Sequence, residues 1–335
     1  MTDQELKSDR KPRLCIVVPC YNEEEALPGS NVELLDTLHR IVAKGLASAD
    51  SCVLYVNDGS RDNTWPIIRA LAEKYPGEVA GLNLAANVGH QNALVAGLEK
   101  AAQFADVTVS IDADLQDDTL AIDNMMEKYG DGADIVYGVR QSRATDTWFK
   151  RNTAIGFYKL MKKLGVKSEF NHADFRLMSR RAVDQLMKYR EENLFLRGIV
   201  PLLGYKQDRV YYDRKERTAG ESKYPLKKML AFAADGITSF SIKPVRMVAF
   251  IGLIFLLVTF VIGIYVAVRH FSGHTIEGWS SMVLSVWFCS GIILICMGIV
   301  GEYVGKIYSE VKHRPRYNPE TFVMHGKESV ESRQA

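Results

Sequence analysis

The sequence predicts an α/β domain with a mostly parallel sheet, followed by two membrane-spanning helices. Three observations carry that prediction. Short apolar runs rich in β-branched residues alternate with helix-like stretches. Each apolar run ends in a polar cluster. Near the C-terminus two long runs, 247–268 and 278–301, contain no charged residue.

Leu14 to Val18 is apolar and β-branched and stops at Pro19, as a buried parallel strand does. The loop Pro19-Cys20-Tyr21-Asn22-Glu23-Glu24 follows, then a helical stretch to about Lys44. Cys52 to Val56 is a second strand, ending in Asn57-Asp58-Gly59-Ser60. Val79 to Leu84 is a third, ending in Asn87-Val88-Gly89-His90, and a helix runs from about Gln91 to Phe104. Val107 to Ile111 is a fourth, ending in Asp112-Ala113-Asp114-Leu115-Gln116-Asp117-Asp118. Ile135 to Val139 is a fifth and ends at Arg140.

In such sheets ligands bind beyond the carboxyl ends of the strands, so Asn22, Asp58, Asn87 and Asp114 are expected to share one crevice. The cluster from Asp112 to Asp118 concentrates hard oxygen donors, which suit Mg²⁺ or Mn²⁺ bridging protein carboxylates to substrate phosphates. An acidic turn capping the next helix has the same composition. Rival nucleotide motifs are missing: there is no GxGxxG turn and no GxxxxGK[ST] loop. An EF-hand fails because Asp117 stands where its Gly belongs and Asp123 where its last Glu belongs.

The chain has 335 residues, 47% hydrophobic and 24% charged, with a net charge of +2, so bulk charge gives no argument for nucleic acid. Its five cysteines form no CxxC pair and read as reduced packing residues. Residues 1–13 form a polar tail with no apolar h-region, so no cleavable signal is expected. Lys243 and Arg246 precede the first apolar run, and Lys306, Lys312, Arg314 and Arg316 follow the second. The positive-inside rule then puts both termini in the cytosol and makes a multi-pass protein of the inner membrane. Pro225 to Phe240 has apolar residues at helical spacing beside Lys223, Lys227 and Lys228, which suits a helix at the headgroup layer. Trp148 to Leu164 has a weaker version of the pattern.

The ordered set Pro19-x-Tyr21-Asn22-Glu23, Asn57-Asp58-Gly59-Ser60-x-Asp62-x-Thr64, Asn87-x-Gly89 and Asp112-Ala113-Asp114-Leu115-Gln116, with two C-terminal spans, resembles the family 2 glycosyltransferases of the GT-A fold. Within them it resembles the polyprenyl-phosphate glycosyltransferases: bactoprenol glucosyltransferases, the undecaprenyl-phosphate 4-deoxy-4-formamido-arabinose transferase and dolichyl-phosphate mannose synthases. The resemblance implies a GT-A domain over 14–224, an interfacial helix over 225–241, two spans within 245–304 and a cytosolic tail over 305–335. It implies that Pro19, Tyr21, Asn22, Glu23, Asp58, Asn87, Gly89, Asp112, Ala113 and Arg140 hold the nucleotide-sugar. Asp112, Asp114 and Gln116 would surround Mg²⁺ or Mn²⁺, and Asp174 matches the proposed catalytic acid residue. The segment Arg217-x-x-Gly220-Glu221-Ser222-Lys223 matches the stretch near the acceptor phosphate, with Arg197 as a further candidate. The resemblance also suggests a homo-oligomer, as a tetramer. The family usually has Asp where this chain has Asn57, and many relatives have Pro where it has Thr119. The QxxRW motif of processive synthases is missing, which favours one sugar per acceptor.

The expected reaction is inverting transfer of one sugar from a UDP-hexose to a polyprenyl phosphate, for cell-envelope glycan or lipid modification. Asp114 and Gln116 would hold the metal that stabilises the departing diphosphate. The acceptor phosphate is largely dianionic at neutral pH, so Asp174 is expected to position rather than to remove a proton. A non-catalytic lipid-sugar carrier and a membrane-bound sugar nucleotidyltransferase are the rival readings. Asp58 in Asp-Gly-Ser also suits a plain turn, and Asp174 a surface ion pair with Arg176 or Arg180.

Overall fold

The computed structural model describes residues 10–140, 172–191 and 196–213, scattered positions within 245–272, and 278–330. The chain divides into two compact units; the first holds the sheet and its helices, the second the long apolar helix.

Nine strands form one sheet in the order β7-β5-β6-β4-β1-β2-β3-β8-β9. They are β1 (Leu14–Cys20), β2 (Cys52–Asn57), β3 (Val79–Leu84), β4 (Val107–Ser110), β5 (Ile135–Arg140), β6 (His172–Ser179), β7 (Gln207–Tyr212), β8 (Pro319–Met324) and β9 (Lys327–Val330). All five expected N-terminal strands are present, within two residues of their expected limits. The central four, β4-β1-β2-β3, are parallel, and every residue in them is buried. Burial on both faces explains why they read as continuous apolar runs rather than alternating ones.

Helices α1 (Leu27–Ala43), α2 (Thr64–Lys74), α3 (His90–Ala102) and α4 (Ala121–Gly130) follow the first four strands. Pro28 in the first turn of α1 loses no helical hydrogen bond there, and Gly45 at φ +73° lets the chain turn away beyond its end. The α3 backbone presses onto β1 and β2 at Gly97, where a Cβ would stand 2.5 Å from Val17 and 2.6 Å from Val56. A short helix α5 (Arg180–Leu186) follows β6, with Ser179 accepting from the Ala182 amide as its N-cap.

Two features depart from a simple βα repeat. β6 inserts antiparallel between β4 and β5, so β5 does not border β4. The stretch expected as a C-terminal tail instead supplies β8, antiparallel to β3, and β9. Phe322 of β8 lies against Phe104 and under the Lys100 ammonium, which gives this hairpin an apolar hold on the domain.

The second unit contains α6 (Trp279–Val311), which runs ten residues past Gly301, where the apolar run ends. Charge ends the run at Glu302, but Glu and Lys are good helix formers, so the helix continues. It stops where His313 takes φ +46° and Arg314 precedes Pro315. Among the described residues this is the one helix long and apolar enough to cross a membrane, over Phe288–Val311 with mean hydropathy 1.8 and none of it buried. The described positions between 247 and 268 are all helical, but a continuous first span is not among the described residues. The stretches 148–164 and 225–240 lie outside them as well.

Candidate active site

The strand order reverses between β1 and β4: β2 and β3 lie to one side of β1 and β4 to the other. The loops leaving β1 and β4 therefore part over a crevice, the usual ligand position in an open α/β sheet. Antiparallel β6 brings its own beginning to this edge, because Ser110 of β4 pairs with Arg176. Asp174 thus stands beside the end of β4, and Ser110 Oγ donates to its carbonyl at 2.5 Å. Parallel β5 and β7 bring Arg140 and Tyr212 to the same edge as register partners.

The β1 and β2 loops are stitched together. Asn22, at φ +55°, donates its amide to Ser60 Oγ at 3.0 Å and accepts from the Arg61 amide at 2.9 Å. The Glu23 amide donates to Thr64 Oγ1 at 2.9 Å, and Glu24 Oε2 accepts from Asn63 at 3.0 and 2.9 Å. Pro19 lies one residue before the end of β1, in register with Val56, and Tyr21 is exposed at the rim.

Asp58 is only 2% exposed, and its carboxylate accepts from the Val88 amide at 2.7 Å and the Gly89 amide at 3.0 Å. Asn87 Nδ2 returns a bond to the Asp58 carbonyl at 3.2 Å. Gly59, at φ +60°, allows the two loops to meet, since a Cβ there would stand 2.5 Å from the Asn87 nitrogen. Asp58 and Asn87 thus clasp the β2 and β3 loops together.

The acidic loop after β4 is held from below: Ser30 Oγ of α1 donates to the Ala113 carbonyl at 2.6 Å. Leu115 is buried although its φ is +44°, a conformation that costs a non-glycine residue about 1–2 kcal/mol. Its burial anchors the turn that carries Asp112 and Asp114. Asp114 is exposed and, among the described residues, accepts only a long 3.3 Å bond from the Gln116 amide; Gln116 itself is buried. Glu23 faces this loop, and its carboxyl is pushed up by burial and by the Asp114 and Asp112 charges. The Asp112 carboxyl is also pushed up, first by loss of water, with Asp174, Asp117 and Asp114 adding to the effect and His90 opposing it. A concentration of carboxylates that repel one another suits a divalent cation or a cationic ligand group. Among the described residues, no three His, Cys, Asp or Glu side chains already stand at metal-holding spacing.

Asp174 has the opposite environment. Burial opposes its charge, but Arg176, Arg197 and His90 outweigh that and hold its carboxyl down at about 2. Arg176 Nη2 lies 2.5 Å and Arg197 Nη2 3.4 Å from it. Arg176 is 2% exposed, so the ion pair with Asp174 is an interior one, not a surface contact. The His90 ring at the start of α3 lies 3.5 Å from Asp112 and 3.7 Å from Asp174.

Asp117, in the same acidic run, is buried and does more than begin a helix. It accepts from Tyr212 Oη at 2.6 Å and from Arg140 at 3.0 Å. Arg140 is fixed by this pair, while Asp118 only caps a turn through the Leu120 amide.

The structure therefore brings Pro19, Tyr21, Asn22, Glu23, Asp58, Asn87, Gly89, Asp112, Ala113, Asp114, Gln116, Arg140, Asp174 and Arg197 to one edge of the sheet. Arg217, Ser222 and Lys223 lie outside the described residues. Sequence reasoning passed over His90 and Tyr212, weighed Arg176 only as a surface partner of Asp174, and gave Asp117 no part beyond the acidic cluster. For His90, its place directly after Asn87-x-Gly89 at a strand end was an available signal.

The chain is similar to known proteins over most of its length. The profile of Glycosyl transferase family 2 matches residues 15–187. The uncharacterized glycosyltransferase YkoT of Bacillus subtilis (strain 168) is 52% identical over 307 residues, 92% of this chain and 91% of that protein. The bactoprenol glucosyl transferase of Shigella phage SfV is 40% identical over 309 residues, 91% of this chain and 97% of its own. The prophage bactoprenol glucosyl transferase homolog of Escherichia coli (strain K12) has the same identity and coverage. With a family profile over half its length and relatives matched almost end to end, the chain belongs to glycosyl transferase family 2, and it is a glycosyltransferase.

Proposed function

We propose that the enzyme transfers a single sugar, with inversion, from a nucleotide-sugar to a polyprenyl phosphate at the cytosolic membrane face. UDP-glucose or a related UDP-hexose is the proposed donor. One observation carries the reading: mutually repelling carboxylates, Glu23, Asp112 and Asp114, stand at the β1/β4 crevice next to an arginine-bound Asp174. Two relatives with bactoprenol glucosyl transferase in their names, matched over nearly their whole length, support the lipid acceptor. The exposed apolar helix α6, with the sequence of the 247–268 run, supports a membrane location with two spans.

Each side of the crevice has its own task. Glu23, Asp112, Asp114 and the Gln116 amide form an oxygen-rich wall that fits Mg²⁺ or Mn²⁺, with Asp112, Asp114 and Gln116 as the groups that would hold it. Such an ion supplies Lewis-acid stabilisation of a leaving diphosphate. The clasp between Asp58 and the Val88 and Gly89 amides shapes the floor for the nucleoside. On the other side, a phosphate monoester has a second pKa of about 6 and is already a nucleophile at neutral pH. Asp174, held ionised, has no need to take a proton; it orients Arg197, which is part-exposed and able to meet the acceptor phosphate. Arg217, Ser222 and Lys223 are proposed as further acceptor-phosphate contacts.

The test is a panel of nucleotide-sugars offered with Mg²⁺ or Mn²⁺ and undecaprenyl phosphate, with the lipid product identified by mass. One hexose added to the lipid phosphate is the expected product. A nucleotide-sugar as the product would instead support the nucleotidyltransferase reading.

A further inference from the structure

A chain of hydrogen bonds runs across three strands, from the β2 loop to the hairpin that follows α6; its two middle amides are buried, and Glu320 at its end is exposed. The Ser60 amide donates to Asn57 Oδ1 at 3.3 Å, Asn57 Nδ2 donates to Asn83 Oδ1 at 2.6 Å, and Asn83 Nδ2 donates to Glu320 Oε2 at 2.7 Å. Asn57 is 3% and Asn83 9% exposed. Sheet register aligns them: Asn57 pairs with Asn83, and Asn83 with Thr321, next to Glu320.

The chain has one direction, fixed at both ends. A backbone N–H only donates, so Asn57 must turn its oxygen to Ser60. A carboxylate only accepts, so Asn83 must turn its nitrogen to Glu320. The two amides between them then have a single matched orientation. Ser60 in turn holds Asn22 through its hydroxyl at 3.0 Å, and Asn22 and Glu23 form the lip of the crevice. A polar network whose central amides are buried and matched in direction rigidifies what it connects.

We propose that Glu320 is a positioning residue for the donor side of the crevice, acting through Asn83 and Asn57 on the Ser60–Asn22 lip. The inference rests on the nucleotide-sugar reading for what the lip binds. The C-terminal hairpin is then part of the catalytic unit, and its Glu320 is a remote setting for donor affinity.

Reversal of the relay tests it. In Asn57→Asp the new carboxylate needs a donor, so Asn83 must flip its nitrogen toward position 57. Its oxygen then faces Glu320, and two acceptors meet with no proton between them. A second change, Glu320→Gln, supplies that proton, since Gln can donate to the flipped Asn83. Glu320→Gln alone can still accept from Asn83. In the full-length enzyme, N57D is expected to raise the donor KM about tenfold or more, E320Q to change it less than about threefold, and the N57D/E320Q pair to recover most of the loss. The lipid KM and kcat should stay within about twofold in all three.

Thermal midpoints of the same variants read the relay without turnover. Recovery in both donor KM and midpoint supports the proposal. Recovery of the midpoint alone would reduce Glu320 to a structural contact and overturn it, as would a double variant no better than N57D. Failure of the unsubstituted enzyme to transfer sugar from any nucleotide-sugar would overturn the function instead; the coupling in thermal midpoint would still show whether positions 57 and 320 communicate.

Discussion

Two strand ends of this sheet carry aspartates of the same chemistry and use them in opposite ways. At the end of β2, the Asp58 carboxylate is buried and occupied by two backbone amides of the neighbouring loop. At the end of β4, Asp114 is exposed, and its one hydrogen bond among the described residues is a long one within its own turn. The difference lies in the supply of backbone donors. Gly59 and Gly89, both at positive φ, bring the β2 and β3 loops close enough to offer N–H groups to Asp58. The β4 loop turns through Leu115 and faces Glu23, which offers only another negative charge. A carboxylate with two amides holds the fold together; one that faces carboxylates is left for a ligand.

The largest effect that tests this contrast is on turnover. Asp114→Ala should lower kcat by about 10³-fold or more, while the thermal midpoint and membrane insertion stay close to those of the parent. A purified variant with full activity would remove Asp114 from the reaction. The next effect is on stability. Asp58→Ala leaves two part-buried amides without an acceptor and should cost about 2–4 kcal/mol, read as a fall in thermal or denaturant midpoint. If Asp58→Ala melted like the parent and lost only donor affinity, the contrast between the two strand ends would collapse.

The smallest effect separates Asp174 from both. Its carboxyl is depressed to about 2 from an ordinary value of 3.8, so its stabilising contribution is fully present above about pH 4. That contribution is lost as pH falls through 2. Asp174→Asn should therefore be less stable than the parent by about 2 kcal/mol at neutral pH, with the gap closing on acidification. A gap that stayed constant down to pH 2 would show that the arginines do not hold the charge.

Local pattern carried much of the fold. The apolar runs at Leu14, Cys52, Val79, Val107 and Ile135 are legible because strands buried on both faces tolerate few polar residues. Polar clusters at their ends were equally legible, because the sheet edge is where the chain returns to water. The tail at 305–335 was not read as structured. Its strands β8 and β9 contain Glu320, Glu328 and Lys327, and strands at the margin of a sheet with much of their surface in solvent, β9 being the edge itself, lack an apolar signature. The length of α6 was missed for a related reason: apolarity marks a run, whereas Glu302 and Lys306 continue a helix without belonging to that run.

By itself the sequence determined the parallel core, the crevice at its carboxyl edge, the acidic loop there and the apolar C-terminal runs. Those follow from hydrophobic period and from residue chemistry, which are local. Only the tertiary structure decided which acid does what. Antiparallel β6 carries Asp174, with its strand neighbour Arg176, to His90. Register with β7 sets Tyr212 and Arg140 on Asp117. The pairing of β3 with β8 joins Glu320 to the β2 loop through two amides. Apart from the Asp174–Arg176 pair within β6, each is a contact between residues far apart in the chain. The role of a carboxylate depends on the donors and charges that such contacts bring to it, and no local pattern records them.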